Sequence, residues 1–167
     1  MIVSWLIPWL PALTLCMAAI IQELAIPVPA WAVFRPDLVL ITLFYWRLYR
    51  GDLCGAKLAF LAGILVDMLS GTRLGVHAIS HIVLVLVVGL YARVLRSMDF
   101  YYVLFVLLFL TCFVEGIQLL VTLPWMGGAA RWMLLAGRPV ATMLLAPLVI
   151  HLLVMVHRTW LEEPHAR

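Results

Sequence analysis

From Ile2 to His157 the chain repeats one pattern, a long apolar run followed by a short polar break. A helix that crosses the hydrocarbon core of a bilayer needs about 20 mostly apolar residues, and its backbone must satisfy its own hydrogen bonds. On that rule the runs predict six membrane-spanning helices, at approximately residues 2–22, 36–49, 53–70, 76–95, 100–123 and 133–157. Pro8 and Pro11 fall near the start of the first, where a missing N–H costs least, and Gln22 and Glu23 close it. Pro36 is placed as the first helical residue of the second run, DLVLITLFYW, which is short for a crossing. The third is also short and carries Lys57, whose stem can reach toward headgroups. The sixth begins between Trp132 and Pro139 and holds Pro147, where a kink is expected. The longest connection is TLPWMGGAARW, so residues 1–167 read as a single polytopic all-α bundle.

Composition agrees with that pattern. Of the 167 residues, 66% are hydrophobic and 11% charged, and the mean hydropathy is +1.15, unlike a soluble domain. A net charge of +3 is too small for a broad nucleic-acid-binding face. Cys16, Cys54 and Cys112 stand apart in apolar surroundings with no CxxC spacing, so they are expected to be small core residues rather than metal ligands or disulfide partners. MIVSWLIPWLPALTLC lacks the basic start of a signal peptide, and Leu15 before Cys16 is bulky for lipoprotein cleavage, so this segment is retained as the first span.

The placement of basic residues orients the bundle. With a cytoplasmic N-terminus, the inner side holds Arg47, Arg50, Lys57, Arg93, Arg96, Arg158 and Arg167, and the outer side holds Arg35, Arg73, Arg131 and Arg138. Seven against four places both termini inside. Phe44, Tyr45, Trp46 and Tyr49 would then form an inner aromatic belt, and Trp31, Trp125 and Trp132 an outer one.

Within this apolar chain the intramembrane carboxylates are the first functional candidates, because an ionisable group at that depth is costly. In GILVDMLSGTRLG, Asp67 lies close to Ser70, Gly71, Thr72 and Arg73, so it is expected to pair with Arg73 or accept hydrogen bonds from the turn. Glu115, in FVEGIQ, is expected to be polar glue between helices, with Gln118 one turn away. His77 and His81 in HAISH have the i, i+4 spacing of a zinc site, but Ala78 stands where a zincin would have glutamate, so polar packing is the better reading. His151 is alone in the sixth span. GDLCG and GTRLG match GxxxG but sit at span ends, where glycine serves a turn. Gly63 and Ala62 would let helices approach closely. No GxSxG, phosphate-binding glycine loop or Ser/His/Asp set is present, so no catalytic residue, metal ligand or cofactor is assigned and no enzymatic activity is expected.

FRPDLVLITLFYW, followed about twenty residues later by GILVDMLSGTRLG, resembles the bacterial rod shape-determining MreD family. The resemblance covers nearly the whole chain. It is most specific at Arg35, Pro36 and Asp37, and at Gly63, Asp67, Gly71 and Gly75. It implies a component of the cell-elongation machinery of the bacterial inner membrane. Its implied partners are a single-span MreC-type scaffold, an MreB-type cytoplasmic filament, and a RodA-type glycosyltransferase with its class B penicillin-binding transpeptidase. The family carries no catalytic residues that could be transferred to this chain. The short tail ending WLEEPHAR offers little surface to a filament, which points to the loops with Arg47, Arg50, Arg93 and Arg96 instead.

A second resemblance, to the substrate-binding subunits of energy-coupling-factor vitamin transporters, rests only on six short-looped spans with a polar cluster near the outer side. The two readings imply different roles. In the first, the chain is a non-enzymatic scaffold that docks MreC and connects it to peptidoglycan synthesis, with Arg35, Pro36, Asp37, Gly63, Asp67, Gly71, Arg73, Gly75 and Glu115 as structural or docking candidates. In the alternative, Asp67, His77, His81 and Glu115 line a pocket for a small molecule.

Overall fold

A computed structural model describes residues 7–24, 34–122 and 130–161. Among them there are six α-helices and no strand: α1 (Leu10–Glu23), α2 (Leu38–Tyr49), α3 (Ala56–Ser70), α4 (Val76–Leu95), α5 (Phe100–Thr122) and α6 (Ala130–Leu161), with a 3₁₀ turn at Ile7–Trp9 before α1. Three segments are long and apolar enough to cross a membrane: Val76–Leu95, Phe100–Gln118 and Gly137–Thr159. The other three helices have 14, 12 and 15 residues. At 1.5 Å per residue each is about 18–22 Å long, less than a hydrocarbon core of about 30 Å.

The shortest helix occupies the centre. α2 packs against α1, α4, α5 and α6, and α3 packs against α1 and α4 at the outside, so α2 lies amid four of the other helices. Every residue from Val39 to Trp46 is buried. A helix that is apolar on all sides belongs in such a position. This corrects the expected inner belt: Phe44, Tyr45 and Trp46 are core residues, and only Tyr49 faces outward. Trp46 donates its indole N–H to Thr14 Oγ1 of α1 at 2.9 Å and stacks on the His157 ring of α6. A buried indole needs such an acceptor, which a headgroup would otherwise supply. Trp31 and Trp125, and the side chain of Trp132, lie outside the described residues.

Two further expectations change. Cys54 is buried, but Cys16 and Cys112 face outward. Lipid is as apolar as a core, so an apolar side chain has no need to turn inward. Pro36 precedes α2 instead of beginning it, and Asp37 is the cap. An Asp cap accepts a free N–H of the first turn, which Pro36 does not do. α6 starts upstream of Pro139 and continues through both Pro139 and Pro147.

α3 and α4 approach each other closely at Gly63. A methyl group there would collide with the backbone of His77 and Ala78. The chain reverses between these helices at Gly71 and Gly75, whose φ angles of 66° and 103° lie in the left-handed region that favours glycine. Both GTRLG glycines therefore serve the turn.

Candidate functional site: a buried polar framework

The N-terminus of α4 begins at Gly75, which has no side chain to cap the free N–H groups of the first turn. Asp67, fully buried near the end of α3, does this from the neighbouring helix. Its Oδ2 accepts the Gly75 N–H at 2.7 Å, and its Oδ1 accepts the His77 N–H at 3.1 Å and the Thr72 hydroxyl at 2.9 Å. The same Oδ1 is 2.7 Å from His77 Nδ1. An ionised Asp67 can only accept, which places the ring hydrogen on Nδ1. Asp67 thus takes hydrogen bonds from the turn. Arg73 is exposed in that turn, where its carbonyl accepts the Val76 N–H.

α2 is anchored at its N-terminus by three other helices. Asp37 Oδ1 accepts the Leu40 N–H at 2.8 Å, and Gln22 of α1 accepts the Val39 N–H at 3.2 Å. The Asp37 N–H itself donates to Thr142 Oγ1 of α6 at 2.9 Å, while that hydroxyl donates to the Arg138 carbonyl. Asp37 Oδ2 lies 3.9 Å from His81 Nε2 on α4. Just outside this point Arg35 pairs with Glu23 at 2.8 Å, tying the approach to α2 to the end of α1. Pro36 is buried between the two contacts.

The long helices complete the framework. Glu115 of α5 lies 3.5 Å from Arg138 of α6, and Gln118 of α5 donates to Ser80 of α4 at 3.1 Å. Glu115 is under the electrostatic influence of Asp37 and His81 as well as Arg138. Carboxylates, histidines and small hydroxyls from five helices therefore meet at one end of the bundle. Not all of their atoms are satisfied: both ring nitrogens of His81, Glu115 Oε1 and Arg138 Nε are buried without a hydrogen-bond partner. Among the described residues, no three His, Cys, Asp or Glu side chains converge with the geometry of a metal site.

The match to a family model decides the assignment. The model for the rod shape-determining protein MreD aligns with residues 3–156. The chain belongs to the MreD family. MreD is a shape-determining family, so this member's role lies in rod shape determination, and its apolar helices fit an integral membrane protein. No solved structure matches the chain.

Of the residues singled out by the MreD resemblance, Asp37 and Asp67 both cap helices, Gly63 admits α4, and Gly71 and Gly75 turn the chain. Thr142 and Arg138 join them in the structure, though nothing in the sequence marked them for this site. A hydroxyl or guanidinium in an apolar run was the available signal, and it does not say which partner it meets. His77 and His81 separate in role despite sharing a face: His77 is held by Asp67, and His81 looks toward Asp37.

Proposed function

We propose that this MreD-family protein is a non-enzymatic inner-membrane scaffold of the cell-elongation complex, six-spanning with both termini cytoplasmic. In this reading it docks an MreC-type single helix and couples it to a RodA-type glycosyltransferase and a class B penicillin-binding transpeptidase. The observation that carries the reading is the direction of the polar groups. Asp37, Asp67 and Glu115 bind the bundle to itself, while the outward faces are apolar, with Phe105 and Phe109 of α5 exposed one turn apart. Lipid gives no hydrophobic gain for helix association, so a partner helix must be held by close packing, which a rigid face favours. The candidates Gly63, Asp67 and Gly75 then act on docking indirectly, by fixing the α3–α4 hairpin. A filament contact would fall on the 50–55 connection, where Arg50 is partly exposed.

The test is an affinity purification of the tagged protein from membranes in mild detergent, with mass spectrometry of what accompanies it. The scaffold reading expects an MreC-type protein and the wall-synthesis pair, and reduced recovery from Asp67→Ala. Recovery of ATPase subunits, or normal partner recovery and cell shape in Asp67→Ala, would overturn it.

A second reading, a vitamin-type substrate-binding subunit sharing the energy-coupling-factor bundle, is favoured by one observation. His81 is fully buried, with no hydrogen-bond partner for either ring nitrogen among the described residues and with Nε2 3.9 Å from Asp37 Oδ2. A thermal-shift screen of the purified protein against vitamins and metal ions separates the readings, because a ligand that binds only the folded state raises the melting temperature.

A further inference from the structure

The C-terminal ends of α2 and α4 and the connection between α2 and α3 line an open cavity of about 320 Å³, at the opposite end of α4 from the Asp67 framework. Arg47, Tyr49, Gly51, Asp52, Gly89 and Arg96 are among its walls. Its volume falls in the range of about 300–1,000 Å³ typical of small-molecule sites.

The Arg47 guanidinium is built into the wall. Its Nε donates to the Val85 carbonyl at 3.1 Å, and its Nη1 donates to the Gly51 and Cys54 carbonyls at 3.0 and 3.3 Å. Gly89 provides the seat: a methyl group there would collide with Arg47 Nη2 and Nε. These contacts fix the plane of the guanidinium and leave Nη2 uncommitted among the described residues. Arg96 enters from the end of α4, its side chain bonded among the described residues only to the Ala92 carbonyl of its own helix. Neither arginine is within ion-pair distance of a carboxylate among the described residues. The acidic group on the wall, Asp52, is already held by Arg50 through Nε at 3.0 Å and Nη2 at 2.9 Å. With Arg50 and Asp52 cancelling, the cavity retains two positive charges. Tyr49 and Tyr91, both exposed at this end, mark the depth at which amphipathic rings meet headgroups.

We propose that Arg47 and Arg96 form a binding site for a phosphate group, supplied by an anionic phospholipid headgroup or by a free phosphate. Arg47 Nη2 and the Arg96 fork donate to the phosphate oxygens, a pairing for which planar guanidinium is suited. Basic pockets between membrane helices take lipid headgroups by this chemistry.

The test uses the full chain purified in a neutral detergent, with thermal unfolding followed at constant ionic strength. Short-chain phosphatidylglycerol, short-chain phosphatidylcholine and inorganic phosphate are titrated separately. A saturable rise in melting temperature with phosphatidylglycerol alone identifies the lipid source, and a rise with inorganic phosphate as well identifies the free anion. Arg96→Gln should weaken the apparent affinity about tenfold, the scale of one lost charge-assisted hydrogen bond. That side chain is exposed and bonds only within its own helix, so the variant folds. Arg158→Gln removes the same charge from an exposed position on α6 away from the cavity and should leave the affinity unchanged. The absence of a saturable shift with either phosphate source, or equal loss in the two variants, would overturn the assignment.

Discussion

Asp67 and Gly75 are joined by a 2.7 Å hydrogen bond through which the end of α3 caps the beginning of α4. In water the first amides of α4 could bond to solvent; at the edge of a bilayer that alternative is poor, so the cap must come from the protein. Asp67→Ala removes the acceptor of the Thr72, Gly75 and His77 donors together, and is expected to cost about 3–5 kcal/mol, the scale of breaking a buried charged contact. Asp67→Asn keeps one acceptor oxygen and should fall between the two. Equilibrium unfolding in mixed micelles gives the order, and an alanine variant as stable as the native chain would show that α4 is positioned by other means.

Two of the helical glycines, Gly63 and Gly116, should respond oppositely to the same substitution. Gly63→Ala drives a methyl group into the His77–Ala78 backbone, with an expected cost of about 1–3 kcal/mol from overpacking. At Gly116 the added methyl meets nothing within 4 Å, so Gly116→Ala should be neutral or stabilising by up to about 1 kcal/mol through helix propensity. Equal melting temperatures for the pair would rule out close α3–α4 contact.

Glu115 and Arg138 invite a double-mutant cycle. Glu115→Gln and Arg138→Met each leave one buried polar partner without its counterpart, so each should destabilise by about 3 kcal/mol, and the double variant by less than the sum. Additive losses would mean that the 3.5 Å approach carries no coupling.

Thr142 is the link from α6 to the start of α2. Thr142→Val leaves the Asp37 N–H buried and unpaired, for an expected loss of about 1–3 kcal/mol, whereas Thr142→Ser retains the hydroxyl and most of the stability. Hydrogen exchange at the Asp37 amide reads this contact directly: it should quicken in the valine variant and stay slow in the serine variant.

At the opposite end, hydrogen bonding from Arg50 holds the Asp52 carboxyl below the usual carboxylate range. The stability this confers is present above the unfolded pKa of Asp52 and is lost as pH falls through the depressed folded value. The pair is well exposed, so it contributes at most about 1 kcal/mol. The difference in melting temperature between the native chain and Asp52→Asn should therefore be small at pH 7, shrink as the pH falls below the ordinary carboxylate pKa, and vanish below the depressed folded value. A difference that grows on acidification would contradict this assignment.

How much of this was readable beforehand depends on the kind of residue. Asp67 stood out because a carboxylate in an apolar run must be solvated by something, and the adjacent SGTRLG indicated a turn. The glycines of that turn were legible for the same local reason. Phe44, Tyr45 and Trp46 were not: an apolar run says that a residue is out of water, but lipid and protein core satisfy it equally. Cys16 and Cys112 faced the same ambiguity and resolved the other way. Asp37 stands out in the sequence, yet with Pro36 expected as the first helical residue, two positions early, it falls inside the helix and its role as the α2 cap is hidden. The contact between Asp37 and Thr142 spans 105 positions, and a hydroxyl in an apolar helix does not announce so distant a partner.

The central place of α2 also bears on how the chain is made. This helix is second in chain order among the described residues, is shorter than a hydrocarbon core is thick, and has at its start an amide whose partner is Thr142 of α6. Until α6 has been synthesised and has closed against it, that amide and the end of α2 must be accommodated by water, headgroups or an insertion factor. The centre of the bundle is thus completed from α6 backward: a chain that stops before α6 lacks Thr142 and leaves the amide at the start of α2 without its partner.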